Sequence, residues 1–223
     1  MESNWAAING FQEPQIPIDK ATAYHLAGHA VAVCLGNRQK QLPDVHFQIL
    51  VDQPGQDKRV SGPSAAKVGG YTARVEGGRL IHHLPLTLAA ALKGFPNQQQ
   101  QDEYKRAFEA DIINLLVGPL AEAKYVAIRD CKAFNPNLVN IVGLSSCDGK
   151  PDSSLIVDYM DCFLFDQKDY DRMKELFMDA YGFVNNPSNW FAISLLAGHI
   201  LVKPIGCIDC EEVVSLMESR LAA

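Results

Sequence analysis

The chain has 223 residues, 48% of them hydrophobic and 21% charged, with a formal net charge of -6. That balance describes an ordinary globular protein with enough apolar material for one substantial core, and it gives no basic footprint for nucleic acid or anionic lipid. No apolar run reaches the roughly 18 residues of a membrane span, and the opening MESNWAAINGFQEPQIP lacks the charged-then-apolar order of a secretory leader, so a cytoplasmic or organelle-internal, reducing setting is expected.

Residues 1–17, punctuated by Pro14 and Pro17, read as a flexible lead-in, and 18–223 as a single domain. Asp19 is placed to cap a helix running to about Leu35, with Gly36 just past its end. Ala21, Tyr24, Ala27, Val31 and Leu35 mark its apolar stripe. Gly28 sits inside that helix, where glycine costs about 1 kcal/mol against alanine, which predicts a second backbone or a substrate passing close by. The run 45–51 reads as a strand and the Gly- and Pro-bearing stretch after it as a loop. GGYTARVEGGRLIHHLP, with a Glu76-Gly77-Gly78 turn signal, reads as a hairpin. These strands are too few to stand alone, so a small sheet packed on the first helix is predicted.

A short helix is expected over 86–95, and the glutamines at 98–101 open a long one through Tyr104, Phe108, Ile112 and Leu116. Gly118-Pro119 interrupts that pattern, and Pro119 suits the first residue of a separate helix. A loop follows from about Asn135 to Pro151. The last third reads as four helices, the third capped by Ser188 and stopped by Pro204, the fourth opened by Asp209 with Glu212 as a capping box. The expected fold class is mainly α (α+β): a helical domain with a small sheet or hairpin on the motif helix.

Six cysteines are scattered along the chain, and only Cys207 and Cys210 form a CxxC, with no second pair to complete a thiolate zinc site. Free thiols are the simpler expectation. His82 and His83 are adjacent on an expected strand and would point to opposite faces, and His199 falls on an apolar helix face. His25 and His29 are different. Four residues apart on one helix, they share a face and are placed to share a metal ion. The spacing is that of the zinc-peptidase motif His-Glu-x-x-His, whose glutamate is the general base. Here that position is Leu26, which takes no proton.

AYHLAGHAVAVCLG resembles the AYHEAGHAV stretch of the FtsH-type ATP-dependent zinc metalloproteases. LLVGPLAEAKY (115–125) is similar to that family's Gly-rich helix start with Ala-Glu, and residues 189–217 resemble its closing pattern of a helix, a break and a last helix. The resemblance covers the peptidase domain only. No GxxxxGK[ST] phosphate loop occurs, so an ATP site is not expected in this chain. It implies a metallopeptidase-like domain binding zinc through His25, His29 and an aspartate at the start of a later helix. Aligned on Leu155, that third position is Ser154, a poor ligand; Asp152, two residues earlier, is the preferred carboxylate, with Asp158 and Glu122 as alternatives. Without the glutamate, the family's reaction is expected to be impaired, leaving a protein that binds peptide or unfolded protein, or assembles with itself or with related protease subunits. An active zinc endopeptidase using Glu122 or Asp152 as an unusual base, and a metal-free structural or regulatory helical domain, are the other two readings.

Overall fold

The computed structural model describes residues 18–52, 66–68, 71–136, 152–163, 167–203 and 205–221. The expected lead-in, most of the loop after β1 and most of the loop before Asp152 lie outside them. Helix α1 (Lys20–Val31) begins as expected, with the Asp19 carboxylate accepting the Thr22 amide at 2.7 Å. It does not stop at Gly36. The helical path continues through a π-helical turn (Ala32–Gly36) into a short α2 (Asn37–Gln39), and Gln41, not a glycine, takes the left-handed conformation at φ 55°. Gly36 itself stays helical at φ -65°, and a Cβ on it would make only an ordinary contact, 3.5 Å from Asn114 Oδ1.

Strands β1 (Phe47–Asp52), β2 (Ala66–Val68), β3 (Tyr71–Gly77) and β4 (Gly206–Asp209) form one sheet in the order β2-β3-β1-β4. All three pairings are antiparallel, with Ile49 opposite Val75 on one side and Ile208 on the other. Phe47, Ile49 and Val51 alternate into the core, where the sheet meets α1. The hairpin is therefore one strand earlier than expected: β2 pairs with β3, and Glu76-Gly77-Gly78 ends β3 without starting a return strand. Gly77 and Gly78 have φ of 82° and 77°, and the Gly78 amide bonds His46 O at 3.0 Å. Beyond them, the Asp111 carboxylate accepts the Leu80 and Ile81 amides at 2.9 and 2.8 Å. Those donors are satisfied by a side chain, so the segment needs no strand partner.

Helix α3 (Leu88–Lys93) is capped by Thr87, and α4 (Gln98–Arg129) by Asn97. Helix α4 is continuous for 32 residues with Pro119 inside it, so the expected break at Gly118-Pro119 does not occur. A proline inside a helix costs about 3 kcal/mol, and α4 is buried from Phe108 to Ala121 against α1 and its neighbours, which offsets that loss. Helices α5 (Asp152–Phe163), α6 (Gln167–Asn185), α7 (Pro187–Val202) and α8 (Cys210–Leu221) complete the described elements. The cap of α7 is Asn186, which accepts the Ser188 and Asn189 amides, and Pro187 takes the first helical position. Asp209 does cap α8, accepting the Glu212 amide at 2.8 Å. The Glu212 carboxylate reaches His199 and Lys203 instead of turning back, so only half of the capping box forms. The fold is mainly α with a minor antiparallel sheet, and one cluster of buried side chains joins α1, β1, α4, α5, α6, α7 and α8. No helix among the described residues is long and apolar enough to cross a membrane.

Candidate metal centre

Helices α1 and α4 run against each other with two facing rows: His25 and His29 on α1, and Asn114, Gly118 and Glu122, also four apart, on α4. Both histidines are buried, at 5% and 7% exposure. His29 Nδ1 stands 2.9 Å from the backbone oxygen of Asn114, and His25 Nδ1 stands 2.8 Å from Glu122 Oε2. A carbonyl can only accept, so His29 carries its proton on Nδ1 and, when neutral, presents a lone pair at Nε2. An ionised Glu122 imposes the same arrangement on His25. The two Nε2 atoms face each other at 3.1 Å, with the ring planes inclined by 71°.

Two bare lone pairs at that distance repel, so either one Nε2 carries a proton and donates it to the other or a cation lies between them. The first case is an N–H···N hydrogen bond with Glu122 on the far nitrogen of His25; the second is a metal ion. For nitrogen ligands about 2.0–2.1 Å from tetrahedral zinc the expected N···N separation is about 3.3 Å, close to the one observed. Each ring is also braced on its far nitrogen, by a carboxylate for His25 and a carbonyl for His29, which is how metal-ligating histidines are held. On donor type, separation and bracing, the pair fits two positions of a zinc shell.

The room for this arrangement comes from glycines. A Cβ on Gly118 would fall 2.2 Å from His29 Nε2, so the imidazole lies directly over the glycine. Gly28 does what its position in α1 predicts: a Cβ there would meet Ala121 Cβ at 2.8 Å and Val117 O at 2.9 Å. Pro119 has no N–H for Leu115 O, and the neighbouring carbonyl, Asn114 O, is the one that takes the His29 ring.

Leu26 is 2% exposed and packs in the core, with no polar atom to offer the site. Glu122 approaches the pair, as the sequence allowed, at the Nδ1 edge of His25 and so away from the nitrogen that faces His29. Asp158 lies on the exposed side of α5. Asp152 and Ser154 belong to the first turn of α5, and their side chains lie outside the described ones. Among the described residues no group of three or more His, Cys, Asp or Glu is arranged around one ion position. His82 and His83 are both exposed and lie in the irregular segment after β3, not on a strand. His199 faces Glu212 at 2.7 Å on the rim between α7 and α8. The described cysteines are all free thiols.

Sequence reasoning missed Asn114 as the brace for His29 and the role of Gly118 as the seat of its ring. The signal was present in the spacing of 114, 118 and 122, read as one face of an unbroken helix. It also missed a support one turn below Asn114, where Asp111 accepts the Tyr159 hydroxyl at 2.9 Å as well as the two backbone amides. Burial pushes the Asp111 carboxyl above the usual carboxylate range, while those three hydrogen bonds pull the other way. Burial, then the neighbouring Asp111, raises the Tyr159 hydroxyl, which keeps it a donor. On the outer side, Tyr24 is stacked between Tyr125 at 4.4 Å and Trp190 at 5.3 Å, tying α1, α4 and α7 together beside His25. Comparison with protein-family models, with curated proteins and with solved structures finds no match for this chain.

Proposed function

We propose that this chain is a degenerate zinc-metallopeptidase-like domain of the FtsH peptidase type, in which the histidine pair still holds zinc while peptide hydrolysis has been lost, and that it acts by binding or assembly. The observation that carries the reading is the 3.1 Å approach of the two Nε2 atoms with both Nδ1 atoms braced. His25 and His29 hold the ion, Glu122 and Asn114 fix the ring orientations, and Gly118 leaves the space. Zinc bound there supplies Lewis acidity.

The placement of α5 supports a third ligand from its first turn. Tyr159 packs on Phe108 and reaches Asp111, and Phe163 stacks near Phe108, so α5 descends as α4 rises. Asp152 begins that helix about two turns, or roughly 10 Å, before Tyr159. Continued along α4, that displacement leads from the level of Asp111 towards Asn114 and Gly118, where the histidines sit.

What the chain lacks is a proton acceptor at Leu26. A positioned general base contributes about 10² to 10⁴ in rate, and Glu122 is committed to His25, where moving it would release the ring. Incubation of the purified protein with unfolded casein, with and without a chelator, tests the claim: the expected result is no chelator-sensitive cleavage by the unaltered chain. Robust proteolysis abolished by chelation would overturn it and favour the active endopeptidase. Retained binding of the unfolded casein to the zinc-loaded chain, without cleavage, is the outcome that a peptide-holding role requires.

A further inference from the structure

A cleft lies beside the π-helical continuation of α1, and its lining shares no residue with the histidine pair or its braces. It has a volume of about 500 Å³ and lies between the π-helical turn, the start of β1 and helix α8. A volume of that size is in the range that takes a small organic ligand. Its inner wall is apolar: Val33 and Phe47 are 6% and 0% exposed, and Val45 and Val214 are half-buried and complete it. Cys34 also lines it, and burial pushes that thiol up to about 12, so at neutral pH it is an uncharged part of the wall.

The rim has a different character. It carries Asp44, Glu211 and Glu218 against one cation, Arg38, so three carboxylates and one guanidinium leave two net negative charges. Arg38 is already engaged, 3.5 Å from Glu218 and 3.9 Å from Asp44, which leaves Glu211 as the rim carboxylate with no cation set against it among the described residues. The wall includes the π-helical turn, a rare backbone feature that recurs at functional sites. Val33, which opens into the cleft, stands one helical turn beyond His29 on the same helical path.

We infer that this cleft is a binding site for a small amphipathic amine, an apolar aliphatic or aromatic body with one protonated nitrogen. The body lies against Val33, Val45, Phe47 and Val214, and the ammonium sits at the rim beside Glu211. A carboxylate of the same body would meet two net negative charges there and be rejected.

A matched pair of probes tests this: 2-(1-naphthyl)ethylamine and 1-naphthylacetate, which share a ring and differ in charge. Each is titrated into the full chain and followed by amide chemical shifts and by calorimetry. The expected result is saturable binding of the amine with shifts centred on Val33, Cys34, Val45 and Val214, and affinity for the acid at least about ten-fold weaker, equivalent to about 1.4 kcal/mol. Glu211→Gln is expected to reduce that preference while leaving the ring's contact shifts in place. Val214→Phe fills the cleft from an already half-buried position and is expected to abolish binding of the amine; Val214→Ala serves as the companion variant that keeps the cleft open if the larger residue disturbs the fold. Equal or tighter binding of the acid, shifts that map elsewhere, or no saturable binding of either probe would overturn the proposal. None of these readouts depends on zinc or on proteolysis, so they stand apart from the metal-centre reading.

Discussion

Replacing Gly118 by alanine puts the packing of the histidine pair to a quantitative test. The added Cβ would lie 2.2, 2.4 and 2.5 Å from Nε2, Cδ2 and Cε1 of His29, against the about 3.5 Å of ordinary carbon contacts. Gly118 is on a buried helix and Gly28 packs against the same stretch, so the backbone has little room to retreat and the ring must swing away by about 1 Å or more. That motion breaks the His29 bond to Asn114 O, worth about 1 kcal/mol, and overpacks the interface by about 1–3 kcal/mol. The better helix propensity of alanine returns about 1 kcal/mol. A net loss of about 1–3 kcal/mol follows, or a melting point lower by about 2–12 °C for a chain of this size. Gly198→Ala is the control: it is also inside a helix, but a Cβ there meets nothing within 4 Å, so a gain of about 0.5–1 kcal/mol is expected. Urea unfolding of both variants, with zinc uptake measured alongside, decides the matter. If Gly118→Ala matches Gly198→Ala in stability and keeps zinc affinity, the ring does not sit over residue 118.

Three further outcomes follow from the same geometry. Glu122→Gln keeps an acceptor for His25 Nδ1 but removes the charge, so zinc affinity is expected to fall by about 10–100-fold, measured by calorimetry, with little change in urea midpoint. Asp111→Ala leaves the Leu80 and Ile81 amides without their acceptor and the Tyr159 hydroxyl with only Ile81 O at 3.4 Å, a loss of about 2–4 kcal/mol in urea unfolding; an unchanged midpoint would show that the segment after β3 is held by something else. The Glu212 carboxyl is held below its usual range first by Lys203 and then by His199. Because its folded value is lowered, its stabilisation is present above the ordinary carboxylate range and is lost as pH falls through the lowered value. The pair is partly solvent-screened, so the effect is under about 1 kcal/mol, and Glu212→Gln is expected to remove that portion of the acid sensitivity in urea midpoints taken from neutral pH to pH 3.

Features governed by neighbours in sequence were legible before the fold was known. Asp19 capping α1 and Asp209 capping α8 each depend on one side chain meeting an amide a few residues away. Gly28 was legible for a related reason, since a glycine inside a helix costs enough to require a cause. The misreadings arose where distant residues override local signals. Pro119 looks like a helix start, yet burial of α4 against α1 keeps the helix running through it. Gly77-Gly78 looks like a hairpin turn, yet the Leu80 and Ile81 amides just beyond it are claimed by Asp111, about thirty residues on. Strand β4 was hidden in a break between two helices, because a four-residue strand with one buried position has no periodicity to detect. At the site, the histidines were found from their spacing, while Asn114 escaped notice because its contribution is a backbone oxygen that any residue would supply.

The most direct test of the metal centre is a zinc titration of the folded chain at neutral pH, read by calorimetry beside a His25→Ala, His29→Ala double variant. A pair that still chelates gives one equivalent of zinc per chain with a dissociation constant below about 1 µM, and the double variant gives none. A folded, unaltered chain that takes up no zinc at micromolar concentrations would contradict the metal centre and leave the two imidazoles bridged by a proton as part of a helical core.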